Sequence, residues 1–487
     1  MSITRSNSRP LNRRSAMLLI VGAVTCFQLA YLRTDFGPLS LFIIGYVVCL
    51  TQLSRLRTTR QSFYAGLVTG FLCVAPQLLC FWQIFHAAAI PLWIVLAFWT
   101  AAFTGMTHAA LERFGPKWTA VLVPFLWTGL EYFRSELYYL KFSWLNVGYA
   151  FADWQIFPFR FFGMYGVGFL IAIFAGLLFV RFYALAILAV LFVIIHLIVP
   201  AGTGEQTRQL RLAGVQMEFP SEREIPSALD ALLAKYTNAD ILVLSEYTLQ
   251  GPVPGSLKDW CRANRRYLVV GGEDPAPNNN YYDTAFVIGP DGEIVFKQGK
   301  SVPVQMFKDG LPAPDQKVWD SPWGKIGFCI CYDLSYTRVT DRLIRDGAQL
   351  LIVPTMDVAD WGEHEHELHT RVAPVRAAEY GVPVFRVASS GISQAVTDSG
   401  RVVATAPFPR ERRTLFAAFD LPGSGSVPMD RFLSQFAVCV TAVVFVLCLW
   451  KRKLKPEQPA SDLESGATSG STPDLSPIEK TEASQQK

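Results

Sequence analysis

Apolar positions run together over residues 15–200, then break up over residues 205–430 into short apolar stretches separated by polar turns. A helix that crosses a bilayer needs roughly 20 mostly apolar residues. Stretches of that kind lie at about 15–32, 38–55, 63–83, 88–110, 117–135, 158–181 and 183–200, and another at 432–450 follows the polar region. The pattern predicts seven membrane spans, a polar domain and an eighth span. The fifth span runs into the charged Glu131 and Arg134, and the sixth and seventh stand close together. A basic start before an apolar core also fits a signal peptide, but more apolar spans follow at once and no small-residue cleavage site is evident.

The polar region has a different rhythm. Apolar strands are expected at 209–217, 240–246, 267–272, 325–331, 349–354 and 382–388. Helices are expected at about 224–237, 255–266, 337–347 and 364–380. Two hairpins complete the set, one turning at Pro290-Asp291-Gly292 between 283–289 and 293–296, the other over 394–405. Strands, helices and hairpins mixed over this length predict an α/β sandwich with sheets buried between helical layers.

Basic residues decide the orientation, because short cytoplasmic loops are rich in Lys and Arg. Arg5, Arg9, Arg13 and Arg14 put the N-terminus (1–14) on the cytoplasmic side. Arg55 to Arg60, Arg113 with Lys117, and Arg181 then fall in successive cytoplasmic loops. Seven crossings place the polar domain outside, and the last span returns the chain to Lys451, Arg452, Lys453 and Lys455. The tail, 451–487, is rich in Ser, Pro, Glu, Thr and Gln and is expected to be disordered. The stretch at 136–157 is rich in Tyr, Trp and Phe and reads either as an aromatic belt at headgroup level or as the lipid-facing wall of a site entrance.

Composition adds little beyond this. The 487 residues are 51% hydrophobic and 17% charged, against about a quarter charged in a soluble domain. The net charge of +4 points to no particular partner, and no zinc-finger, phosphate-loop or nucleic-acid signature is present. Of the nine cysteines, only Cys261, Cys329 and Cys331 fall in the polar domain. Cys329 and Cys331 alternate on one expected strand, so they face opposite ways and no disulfide framework is expected.

Three residues stand where apolar stretches run out into loops: Glu246, Lys300 and Cys331. A thiolate is a nucleophile, but a free thiol is mostly protonated at neutral pH. A neighbouring carboxylate can take the proton, and an ammonium favours the thiolate and the oxyanion of a tetrahedral intermediate. Together they make an acyl-transfer site without metal or cofactor. Taken singly each has a plain structural reading: a helix-capping Glu, a solvated Lys, an inert core Cys. His364, His366 and His369 form a possible metal cluster, and the alternative reading is a polar helix face near the pocket.

The residues carry a resemblance. Leu244-Ser245-Glu246-Tyr247 with Pro252, Lys300-Ser301-Val302-Pro303, Ile330-Cys331-Tyr332-Asp333, Pro354-Thr355-Met356-Asp357, Arg376-Ala377-Ala378-Glu379 and Ser390-Gly391-Ile392-Ser393 resemble motifs of the carbon-nitrogen hydrolase (nitrilase) superfamily. With the seven-plus-one frame, the whole chain except the tail is similar to the apolipoprotein N-acyltransferase family. The resemblance implies a membrane helical bundle with an α-β-β-α nitrilase-like domain, in a bacterial inner membrane with that domain in the periplasm. It implies Glu246 as general base, Cys331 as nucleophile and Lys300 as triad lysine, with Tyr332 and Asp333 at the oxyanion or substrate. Lys297 stays open as the lysine, because it matches the family's spacing to Val-Pro. Three positions depart from the pattern: Val304-Gln305-Met306 lacks the family's glutamate, Met356 replaces an Asn, and Asp283 replaces an Asn common in that hairpin.

The implied reaction moves an acyl chain from a phospholipid, through a Cys331 thioester, to the N-terminal amine of a diacylglyceryl-cysteine lipoprotein. The expected partners are membrane lipids and these two substrates, with no nucleic acid and the chain acting as a monomer. The alternatives are a membrane-tethered amidase that hydrolyses a C–N bond and a non-catalytic scaffold.

Overall fold

The computed structural model describes residues 10–32, 36–183, 209–408, 412–421 and 423–450. The span expected at 183–200 and the tail at 451–487 lie outside the described residues, save for Tyr183. The N-terminal half holds helices α1 (Arg13–Ala30), α2 (Phe42–Leu53), α3 (Thr59–Gln77), α4 (Cys80–Phe85), α5 (Ala89–Tyr132) and α6 (Phe159–Phe179). Among the described residues, four helical stretches are long and apolar enough to cross a membrane: Arg13–Ala30, Cys80–Leu137, Phe159–Phe179 and Asp430–Trp450. That is fewer than the seven-plus-one expected. The third expected span instead divides into α3 and the short α4, and the second shortens to the 12 residues of α2.

The fourth and fifth expected spans join differently as well. A loop was expected around Arg113 and Lys117; instead two helices within α5 meet at a sharp kink on Gly115, whose φ is +77°. Glycine tolerates that backbone, and Pro116 directly after it suits the first turn of a new helix. The Thr119 hydroxyl donates to the Gly115 carbonyl at 2.8 Å, which closes that turn.

The second half is two six-stranded sheets. The first runs β12-β1-β2-β3-β4-β5 and the second β11-β10-β9-β8-β7-β6, where β1 is Gln209–Val215, β2 Ile241–Val243, β3 Tyr267–Ala276, β4 Asn280–Ile288, β5 Ile294–Gly299, β6 Val318–Ser321, β7 Gly324–Phe328, β8 Leu350–Thr355, β9 Val384–Ala388, β10 Ser393–Val396, β11 Val402–Ala406 and β12 Thr414–Asp420. Helices α7 (Glu224–Lys235) and α8 (Gly255–Asn264) cover the first sheet, and α9 (Thr337–Arg345), α10 (Glu363–Thr370) and α11 (Val372–Tyr380) belong to the second.

Period 2 explains the layering. In β1, Leu210 and Leu212 pack between the sheets, while Ala213 and Val215 pack against α7 and α8. In β2, Ile241 and Val243 face inward and Leu242 faces the helices. Strands covered on both faces read as continuous apolar runs, which is why these segments stood out in the sequence.

The two halves are bolted together by α12 (Asp430–Trp450) and α11. Arg431 binds Asp341 at 2.9 Å, Glu379 at 2.9 Å and Asp430 at 2.6 Å, all in a buried network. Glu379 in turn accepts from the Met164 N–H of α6 at 3.1 Å, and Asp430 from the Tyr165 N–H at 2.9 Å. The Arg376-Ala377-Ala378-Glu379 motif therefore ties the polar domain to a membrane helix.

Candidate active site

The expected strand at 325–331 stops at Phe328, so Cys331 is not on a strand. It opens a turn of 3-10 helix, Cys331–Ser335, with φ +48°. The expected opposition of Cys329 and Cys331 across one strand thus gives way to a sharp exit that turns the nucleophile into a pocket. Glu246 leaves β2 in the same manner, and Tyr247 after it has φ +50°. A side chain on Gly271 of the neighbouring strand would bring its Cβ within 2.5 Å of the Glu246 Cα, so the glycine lets the two backbones approach. Lys300 follows the end of β5, anchored by its N–H to the Asp283 carbonyl at 2.7 Å.

Glu246, Lys300 and Cys331 all line one cavity, of about 140 Å³. Each is nearly fully buried, at 2%, 1% and 7% exposure. The Lys300 ammonium contacts the Glu246 carboxylate at 2.7 Å. The other Glu246 oxygen accepts from the Met356 N–H at 2.5 Å. The Cys331 Sγ lies 3.8 Å from the Met356 carbonyl. Lys297 stands elsewhere: it pairs with Asp274 at 2.5 Å on a half-exposed surface of β5. The structure brings Lys300, and not Lys297, to Glu246.

A carboxylate that the sequence did not mark completes the cluster. Asp309 lies 2.8 Å from the Lys300 Nζ, accepts the Tyr247 hydroxyl at 2.9 Å and accepts the Val304 N–H at 2.6 Å. The family's glutamate missing after Val-Pro thus has a counterpart a few residues on, in the turn before Gly310. Its only sequence signal is Asp309-Gly310, an ordinary turn pair. Burial alone would lower the Lys300 ammonium's pKa, but Glu246, Asp309 and Asp283 together raise it well above the ordinary value. Burial and then Glu246 push the Cys331 thiol well up, and Lys300 opposes them. The resting sulfur is therefore a thiol.

Tyr332 lines the cavity, and its hydroxyl donates to the Lys141 carbonyl at 2.8 Å. Asp333, expected beside it at the oxyanion or substrate, is fully buried outside the cavity lining and points to other groups. Its carboxylate accepts from the N–H groups of Ser301 at 3.1 Å, Val302 at 2.8 Å and Ile330 at 3.3 Å. It binds the lysine loop to the cysteine loop. Burial raises it to about 6, against the pull of Lys300 and these three donors.

The expected helix at 364–380 divides at Arg371 into α10 and α11. Two of its histidines, His366 and His369, approach Asp357, at 3.9 and 2.8 Å, and His364 points elsewhere. His364 meets Gln77 at 3.1 Å, His366 meets Glu365 at 2.8 Å, and His369 meets Asp357 at 2.8 Å. Three sets offer donor atoms within 4.8 Å of one another: Cys331, Asp357 and His369; Asp357, Glu365 and His366; and Glu246, Asp283 and Asp309. In each a protein cation already pairs with a carboxylate: Arg386 at 2.5 Å from Asp357 in the first two, and Lys300 in the third. These donor sets fit ion-paired clusters rather than metal centres.

Much of the cavity's wall comes from the membrane half, and Val304, Phe307 and Trp361 of the polar domain complete it. Phe81, Phe85, Leu92, Leu96, Phe142 and Trp144 line it. Trp144 stacks on His369 at 4.5 Å and donates to the Ser335 hydroxyl at 3.1 Å. Glu136 accepts the Thr337 N–H at 3.0 Å, and Arg376 binds the Ser335 carbonyl at 2.8 Å. The aromatic stretch at 136–157 thus both walls the site and braces the cysteine turn.

Comparison with known proteins agrees with this division. Residues 23–177 match the model of the apolipoprotein N-acyltransferase N-terminal domain, and residues 224–429 match that of carbon-nitrogen hydrolases. Apolipoprotein N-acyltransferase from Shewanella oneidensis is 25% identical over 479 residues, covering 83% of this chain and 90% of its own. The protein of the same name from Geobacter metallireducens is 24% identical over 509 residues, covering 91% and 96%. Among solved structures, Nit3 of Saccharomyces cerevisiae, a member of the nitrilase superfamily, superposes with a TM-score of 0.39 at 20% identity, over 45% of this chain and 93% of its own. Both parts of the chain are thus similar to apolipoprotein N-acyltransferases, the first to their N-terminal domain and the second to carbon-nitrogen hydrolases, and the relatives of that name span both parts.

Proposed function

We propose that the chain transfers an acyl chain from a phospholipid to the N-terminal amine of a diacylglyceryl-cysteine lipoprotein, through a thioester on Cys331. One observation carries this reading: the acid-base cluster floors a cavity walled in large part by apolar side chains of the membrane half. Substrates that remain anchored in a bilayer reach such a site from the lipid side.

In the first half-reaction Glu246 takes the Cys331 proton as sulfur attacks the ester carbonyl. Lys300 and the Tyr332 backbone N–H hold the oxyanion, and Glu246 returns the proton to the leaving lysophospholipid oxygen. In the second, the lipoprotein amine attacks the thioester, loses a proton to Glu246, and Cys331 departs. Asp309 and Asp333 orient the lysine and the two loops. An apolar cavity keeps water from the thioester until the amine arrives. The same reading sets the domain outside the cytoplasm of a bacterial inner membrane, on a multi-pass frame of seven spans plus one, oriented by its basic loops.

Complementation of a strain depleted of its own N-acyltransferase tests the proposal, with mass spectrometry of lipoprotein N-termini. Wild type should restore the N-acyl group and Cys331→Ser should not. Free fatty acid with unmodified amines would instead favour an amidase-like hydrolase.

A further inference from the structure

The mechanism above leaves one buried carboxylate at its centre unused. Asp283 lies on β4 with no exposed surface. Its oxygens stand within 4.8 Å of those of Glu246 and Asp309, and one lies 3.5 Å from the Lys300 Nζ. That ammonium makes its short contacts elsewhere, to Glu246 at 2.7 Å and Asp309 at 2.8 Å. Tyr247, on the same side, gives its hydroxyl proton to Asp309. Among the described residues neither Asp283 oxygen receives a hydrogen bond.

Three carboxylates around a single ammonium cannot all be anionic at low cost. A buried charge without donors loses several kcal/mol of hydration, and like charges in contact share protons. The group with the poorest set of donors is the one that holds the proton, and here that is Asp283.

We propose that Asp283 rests as a neutral carboxylic acid with its O–H turned to Glu246, a positioning residue that leaves the cluster one net negative charge instead of two. Burial first, then Glu246, raise its acidity constant well above the usual carboxylate range, and Lys300 opposes them without reversing the direction. A neutral carboxylic acid donates one hydrogen bond, as an amide would, but it can also ionise. Once it loses its proton, a third anion competes for Lys300 and opposes both the thiolate and the oxyanion. Turnover should fall on that alkaline limb.

The turnover test rests on the function proposed above, and the spectroscopic one does not. Full-length protein in detergent is given dioleoyl phosphatidylethanolamine without acceptor, and lysophospholipid release is followed against pH. In Asp283→Asn the alkaline limb should move up by about one pH unit or more. Infrared difference spectra of wild type minus Asp283→Asn should show the carbonyl stretch of a neutral carboxylic acid, with no substrate added. Asp283→Ser, also a neutral donor, replaces Asn in both measurements if the first variant does not accumulate. An alkaline limb that stays in place, or the absence of a neutral-acid band, overturns the assignment. If no lysophospholipid appears even with wild type, the proposed function fails while the infrared band still decides the state of Asp283.

Discussion

The floor of the cavity, built by the polar domain, and the part of its wall built by the membrane half work by opposite means. On the floor, Glu246, Lys300, Asp309 and Asp283 are buried charges held by one another. On the walls, Phe85, Leu92 and Leu96 offer nothing but apolar surface. The difference separates two tasks. The floor can exchange protons and hold an oxyanion but has no feature that distinguishes one acyl chain from another. The walls can measure a chain's length but contribute nothing to bond breaking. Between them the cysteine turn is held from both sides, by Asp333 below and by Trp144, Lys141 and Glu136 above.

Breaking the floor should have the largest effect. Lys300→Ala leaves Glu246 and Asp309 as unpaired buried anions and removes an oxyanion partner, so the rate of lysophospholipid release should fall by about 100-fold or more. Lys297→Ala removes a half-exposed surface pair and should change the rate by no more than about twofold. Parallel rate measurements on the two variants decide which lysine acts, and a reversed order would move the role to Lys297.

Altering a wall should change selection and spare the chemistry. Leu96 is 5% exposed and lines the cavity. Leu96→Trp fills part of the acyl space and should raise KM for a long-chain donor about tenfold, which corresponds to ~1.4 kcal/mol. Donors with shorter chains should be affected less. Equal loss for every chain length would mean that the walls do not measure the acyl group.

The smallest effect concerns the joint. Asp333 has its acidity constant raised to about 6 by burial, against about 3.9 unfolded. A raised value means that protonation favours the folded form: its contribution is fully present below the unfolded value and is lost as pH rises through about 6. Between pH 7 and about 5, turnover should fall a few-fold as Asp333 gains a proton and weakens its hold on Ser301, Val302 and Ile330. The contribution of Asp333 to Tm over the same interval should rise. Comparison with Asp333→Asn isolates both effects.

The sequence made Glu246 and Cys331 legible because each sits just past the end of a doubly covered apolar strand. Ile241 to Val243 and the strand ending at Phe328 announce themselves, and Glu246 and Cys331 follow directly. Asp309 was invisible, since an Asp before a Gly in a turn looks alike whether it meets solvent or an ammonium. Spacing favoured Lys297 and proximity to the loop favoured Lys300; the fold separates them because successive strand positions point to opposite faces and Lys300 lies beyond the strand. Membrane segments were harder to delimit. Hydropathy marks where apolar residues lie, but not that Gly115 alone would interrupt a helical run, or that Arg371 would divide α10 from α11. The bolts of the assembly, Arg431 with Asp341 and Glu379, join positions far apart in the chain and leave no local pattern.

The most direct test of the central claim is intact-protein and peptide mass spectrometry after incubation with phospholipid and no acceptor. The account predicts one acyl group on the peptide containing Cys331, released by hydroxylamine and transferred to a diacylglyceryl-cysteine peptide when it is added. Acylation of that acceptor with no adduct ever found on Cys331, or with Cys331→Ala still active, would contradict it.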